Sequence, residues 1–209
     1  MMPNLSSIAY TTQHLLAEKH NLKVKTSHLL EFLAALLGYG SYAAYKTTVS
    51  PLDKAQYLIL QPDFAIERCK NLFDAQATSD IAIDTLATAV EACHAGLKVY
   101  KDEMSFLDYL SDYAQDEIDH SDEVERAMAE TNVFYAGFEI DDTDNTPFTL
   151  LNRDLSWQVN IGGLISSEQN LDRMYNGRVT RANVFFSFNK VGRVGLSKPR
   201  VETSCDVAD

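Results

Sequence analysis

Cysteine is scarce in this chain: three in 209 residues, Cys69, Cys93 and Cys205, odd in number and widely spaced. That pattern argues against a disulfide framework and a Cys-based zinc signature, and it fits a reducing cytoplasm. Long apolar runs are lacking as well. The most apolar stretch, residues 29–37, is broken by Glu31 and is far too short to span a bilayer. The opening residues MMPNLSSIAY have neither a basic n-region nor an apolar h-region, so no signal peptide is read. The phosphate-cradling Gly-x-x-x-x-Gly-Lys, the Gly-x-Ser-x-Gly elbow and a Cys/His nucleophile pattern are all missing, and no internal repeat is visible.

Apolar residues make up 45% of the chain, with ten Tyr and ten Phe, which calls for a folded core. The net charge of −12 is unevenly spread. Residues 51–147 hold 22 acidic and six basic side chains, whereas residues 148–200 hold eight basic and three acidic ones. Such asymmetry points to two regions, with a polyanion-facing surface on the second or internal pairing between the two as the alternatives.

Capping residues and the 3.6 period predict a run of helices. Ser6 or Ser7 starts the first, which Asn21 ends; Thr26 or Ser27 caps a second, which Gly38 ends; Ser41 caps a short third. The turn between the last two resembles a helix-turn-helix corner, but YAAYKT offers one Lys and no Arg, Asn or Gln for reading bases, so a packing corner is expected. Residues 55–60, AQYLIL, read as a short buried strand or a helical turn. Pro62 opens a further helix, and Ser79 or Asp80 caps another that runs to about Tyr100. Beyond residue 133 the period changes: VFYAGFEI, WQVNIGGLI and VTRANVFFSF are rich in aromatic and β-branched residues and read as strands. Gly162-Gly163 marks a bulge, residues 189–192 a hairpin turn, and residues 201–209 a frayed acidic tail. The fold class expected is α+β: a mostly helical region over residues 1–132, acidic from 51, then a small antiparallel sheet or half-barrel over 133–200, basic from 148.

The segment SHLLEFLAALLGYGSYAAY, with Ser27, His28, Gly38, Tyr39 and Tyr42 as its marks, resembles a small helical module. That module stands at the N-terminus of various uncharacterised bacterial proteins, some of them grouped with the glyoxalase superfamily. The resemblance implies a bacterial or mobile-element origin and carries no catalytic residues. No glyoxalase metal site is identifiable in the sequence.

Three sets of residues could carry function. The stretch 102–130 is the most acidic run, and Asp112, Asp116, Asp119, Asp122 and Glu123 form its solvated face. Such a surface can occupy the basic groove of a partner. The second set is Arg173, Arg178, Arg181, Lys190 and Arg193, interleaved with Tyr175, Phe185, Phe186 and Phe188, a composition that suits a nucleic-acid-binding sheet. The third is two Glu-x-x-His pairs, Glu91/His94 and Glu117/His120, with Glu67 and Glu31 as further ligands. At that spacing both side chains reach one metal ion, as in helical di-iron carboxylate proteins. Asp142-x-Asp144-Asn145 opens like a calcium loop but lacks the central Gly and closing Glu.

The reading expected is a non-enzymatic, cytoplasmic bacterial or phage regulatory protein that binds another macromolecule through its acidic face. The partner is a protein, with nucleic acid as the alternative, no membrane, and self-association left open; no cofactor is implied unless the histidine pairs hold a divalent metal. The stripe Phe106, Leu110, Tyr113, Glu117, His120, Val124 places Glu117 and His120 inside. A buried His120 would make His120→Ala cost about 1–3 kcal/mol, against under about 0.5 kcal/mol for His94→Ala at a surface site.

Overall fold

A computed structural model describes residues 5–48, 54–70, 76–93, 96–131, 133–141, 155–169 and 179–208. The chain contains both helix and sheet and divides into two compact units. The first comprises Met1–Phe106, Phe148–Leu155 and Asn189–Lys198; the second comprises Leu107–Pro147, Ser156–Phe188 and Pro199–Asp209.

In the first unit, α1 (Leu5–His20) packs against α2 (Thr26–Leu36) and α5 (Gln76–Cys93), while α2 also meets α3 (Tyr42–Thr47) and α4 (Pro62–Cys69). Asn21 ends α1 in the left-handed region at φ 54°, as a helix stop requires. Gly38 ends α2 at φ 76°, and the Gly38 and Tyr39 amides return to the carbonyls of Ala35 and Ala34, both at 2.8 Å. This is the double C-cap that glycine favours. Ser41 caps α3 through its side chain, which accepts from the Ala44 amide at 3.1 Å. Thr26, by contrast, is already the first residue of α2 and makes no cap; its hydroxyl donates to Gln13 Oε1 at 2.9 Å. Leu16, Leu29, Phe32, Leu36 and Leu86 are fully buried in one core, each contributing on the order of 2 kcal/mol.

A small sheet lies in the same unit. Strand β1 (Tyr57–Ile59), buried throughout, pairs in parallel with β2 (Lys98–Tyr100), and α4 and α5 form the crossover that a parallel pair requires. The helix expected to reach Tyr100 therefore stops at Cys93. Gly96, at φ 93°, redirects the chain, and the β-branched Val99 sits in a strand. β1 pairs on its other side with the short β6 (Gly195–Leu196), antiparallel. The hairpin into β6 turns at Gly192, φ 71°, so Asn189, Lys190 and Val191 belong to the preceding strand and not to the turn.

The second unit holds most of α6 (Glu103–Asp119), α7 (Asp122–Thr131) and four strands in the order β3 (Val133–Ile140), β4 (Ser156–Gln169), β5 (Val179–Val191, up to Phe188 here) and β7 (Arg200–Ala208). Along β5, Ala182, Val184, Phe186 and Phe188 are buried while Arg181 and Phe185 are exposed, the alternation of a sheet with one covered face. Tyr113 of α6 packs its ring 5.5 Å from that of Phe186, and α7 packs on β7 and β3. Residues 201–208, expected as a frayed tail, are strand β7, paired with β5 residue for residue from Arg200↔Ser187 to Ala208↔Val179. Tertiary pairing overrode the tail-like composition. Toward β3, the bulge expected at Gly162-Gly163 falls elsewhere. The β3–β4 register runs unbroken through Leu164 and Gly163, and the shift falls between Tyr135 and Gly137.

Gly163 instead marks a close approach: a Cβ there would collide with the Glu139 carbonyl oxygen and stand 2.7 Å from the Phe138 ring. A Cβ on Gly137 would meet nothing within 4 Å. Gly163→Ala should therefore destabilise the fold by about 2 kcal/mol or more through overpacking. Gly137→Ala should stay within about 1 kcal/mol of the parent. Urea denaturation of the two variants checks the pair, and equal midpoints would contradict this account of Gly163.

Candidate functional site

The acidic surface follows from the phase of α6. Phe106, Leu107, Leu110, Ala114 and Ile118 are buried, a row that repeats at steps of three and four along one face. Asp108, Asp112 and Asp116 lie on the other side, each step of four rising about 6 Å and turning only about 40°. All three are exposed, as are Asp119, Asp122 and Glu123 where α7 begins. Among the described residues, no Lys, Arg or His lies within ion-pairing distance of Asp108, Asp112, Asp116, Asp122 or Glu123. Asp119 differs. Its Oδ1 accepts a short hydrogen bond from the Tyr135 hydroxyl and another from Gln115 Nε2 at 2.7 Å. That network ties the end of α6 to β3, and burial, followed by the bond to Asp119, raises the Tyr135 pKa to about 12.

The helix does not run through to residue 130. It ends at Asp119, and Ser121 starts α7 by accepting the Glu125 amide on its carbonyl at 3.1 Å and the Val124 amide on its hydroxyl at 3.5 Å. The Ser-Asp-Glu start of α7 was a readable cap signal. His120 is consequently exposed, not buried in the stripe. Two residues past Ile118 is about 200° around the helix, nearly opposite the apolar row. Its Nδ1 donates to the Asp116 carbonyl at 2.8 Å, an acceptor that fixes the proton on Nδ1. Glu117 is half-buried and faces Tyr113, whose pKa is raised by burial first and by the Glu117 carboxylate second.

The metal reading gains no assembled donor set: no cluster of three or more His, Cys, Asp or Glu side chains occurs among the described residues. Glu31 accepts from the Tyr42 amide at 3.1 Å, and Glu67 pairs with Lys70 at 2.7 Å. The Glu91 side chain and His94 lie outside the described residues, as do Asp142, Asp144 and Asn145.

Of the basic set, Arg173 and Arg178 lie outside the described residues. Arg181 forms a close ion pair with Asp141, and Lys190 is half-buried near the end of β5. Arg193 is exposed but reaches back onto its own unit, its Nη1 donating to the Gly38 carbonyl at 2.6 Å and its guanidinium lying 5.0 Å from the Tyr39 ring centroid. Arg68 Nε binds the Gly40 carbonyl at 2.7 Å, so two arginines grip the turn between α2 and α3. Sequence reasoning missed both roles, since they join residues 28 and 155 positions apart.

It also missed a cavity where β1 and β2 end, lined by Leu60, Gln61, Pro62, Asp63, Asp102, Glu103 and Met104. One of its three carboxylates is already committed: Asp102 Oδ1 accepts the Ser105 amide at 2.7 Å. No helix among the described residues is long and apolar enough to cross a membrane. Comparison with protein-family models, with curated proteins and with solved structures found no match.

Two measurements follow from this geometry. His120→Ala should shift stability by under about 0.5 kcal/mol, the range of an ordinary surface site; a loss above about 1 kcal/mol on denaturation would place the ring in the core. The Cys205 thiol, free and half-buried, has its pKa raised to about 11 by burial, then by the Glu123 and Asp206 carboxylates. In a Cys69→Ser, Cys93→Ser background, its iodoacetamide alkylation should keep accelerating above pH 9 and titrate near 11. An ordinary thiol profile in the parent would contradict the burial of Cys205; Glu123→Gln should move the profile to lower pH, and an unmoved profile would contradict the placement of Glu123.

Proposed function

We propose that this chain is a non-enzymatic interaction protein of bacterial or phage origin, acting through the acidic outer face of α6 and the start of α7. The partner is a macromolecule, in the first instance a protein, that presents a basic groove. The observation that supports this reading is the row Asp108, Asp112, Asp116, exposed and unpaired among the described residues, and continued by Asp122 and Glu123. Such a row focuses negative potential along a rigid element. Opposed potentials speed encounter and exclude like-charged partners. The origin rests on the resemblance of residues 27–45 alone.

The competing nucleic-acid reading loses support from the described part of its own set. Arg181 pairs with Asp141, and Arg193 donates to the Gly38 turn, so each is engaged within the fold. Arg173 and Arg178 remain its candidates.

Recovery of the tagged protein from its own host, followed by a binding titration with what co-purifies, tests the proposal. Asp112→Lys with Asp116→Lys should lower that affinity at least about tenfold while leaving the fold intact, with the loss concentrated in the association rate. An unchanged affinity would refute the assignment. Direct DNA or RNA binding that falls steeply with salt and vanishes on Arg178→Ala plus Arg181→Ala would replace it with the nucleic-acid reading.

A further inference from the structure

Strand β7, on which α7 packs, has strand pairing on one edge only among the described residues. It pairs with β5 from Val179↔Ala208 to Ser187↔Arg200 without a register shift, and among the described residues no strand pairs its other side. The opposite edge of that sheet, β3, is interrupted between Tyr135 and Gly137, and such irregularities discourage further pairing. β7 carries no bulge, no proline and no lysine within its length, and none of residues 201–206 is buried. A straight edge of this kind, charged but free of bulge and proline, can serve as a template for a strand whose charges complement its own.

The pattern of side chains identifies that strand. Alternation puts Arg200, Glu202, Ser204 and Asp206 on one face of β7, beside Ser187, Phe185, Asn183 and Arg181 of β5. Val201, Thr203 and Cys205 fall on the other face. We infer that β7 is a self-association edge, at which two copies of this chain pair antiparallel with Thr203 on the two-fold axis.

The register follows from charge, since directly opposed like charges are destabilising and opposed unlike charges are favourable. Centring the pair on Glu202 sets that carboxylate against itself. Centring on Ser204 sets Glu202 against Asp206 twice. Centring on Val201 matches Arg200 with Glu202 but overlaps little more than residues 200–202. Centring on Thr203 joins residues 200–206 of each copy. It sets Arg200 against Asp206 twice, Glu202 against Ser204, and Val201 against Cys205. The existing Arg200–Glu202 contact at 2.8 Å, between exposed side chains of one strand, offers little resistance to that exchange. Main-chain hydrogen bonds along the edge then supply affinity, and the charges supply register.

Light scattering coupled to size exclusion, at on the order of 100 μM protein, should return twice the chain mass for a dimer with Kd near about 1 μM. Arg200→Glu or Asp206→Arg alone sets like charges across both ends and should return the monomer mass, with circular dichroism showing each variant folded. The double variant Arg200→Glu, Asp206→Arg restores the complementarity and should restore the dimer, which separates the interface from any effect on folding. Under mild oxidation Thr203→Cys should form a covalent dimer that the unaltered chain does not, whereas Ser204→Cys, paired with Glu202 of the second copy, should not. A monomeric parent chain would overturn the inference. So would a dimer indifferent to both charge reversals, or equal cross-linking at residues 203 and 204.

Discussion

The burial of one face of α6 is the constraint on which the acidic surface depends. Leu107, Leu110, Ala114 and Ile118 are almost inaccessible to solvent, and leaving a Leu or Ile side chain in water costs on the order of 2 kcal/mol. That requirement fixes the rotation of the helix about its axis. Once the rotation is fixed, Asp108, Asp112 and Asp116 have nowhere to go but outward. Repulsion along the row is tolerable only because those carboxylates stay hydrated and partly screened. The acidic face is thus a consequence of the apolar one, and a rigid one, pinned at its far end by the Tyr135–Asp119–Gln115 network.

The first unit has a different keystone. The Gly38–Gly40 turn exposes main-chain carbonyls that a helix end leaves unsatisfied. Arg193 and Arg68 satisfy the two at Gly38 and Gly40, and the Arg193 guanidinium also lies over Tyr39, which itself packs edge-on against Tyr45 at 5.3 Å. One guanidinium thus stacks on an aromatic face and donates to a carbonyl at the same time. Residues from the C-terminal hairpin therefore complete a unit made mainly of N-terminal helices. Charge counting along the sequence assigns the same arginine to a ligand-facing surface.

What could be read in advance divides along physical lines. Local signals were legible: Asn21 and Gly38 as helix stops, Ser41 as a cap, the three aromatic-rich strands, and the exposed carboxylates of α6. Errors came where a local signal was ambiguous or a distant partner decided. The stripe Tyr113–Glu117–His120 has helical spacing, but the true row runs through Ala114 and Ile118, and small Ala114 is easily undervalued as a core residue. β2 is three residues long, too short to show a period, and exists because β1 offers it a parallel partner. β7 reads Arg-Val-Glu-Thr-Ser-Cys-Asp, a good half-buried alternation that its terminal position disguised. The partners of Arg193 and Arg68 lie far away in sequence and carry no local mark.

The central claim is that the outer face of α6 is held open for a basic partner. Carboxylate footprinting, with a carbodiimide and an amine on the protein alone and in complex with what it captures from its host, tests this most directly. The account predicts that Asp108, Asp112 and Asp116 are modified in the free protein and protected in the complex. Asp84 and Glu67, exposed in the other unit, should react equally in both. Equal modification of α6 in the two states, or protection of Asp84 and Glu67 instead, would contradict it.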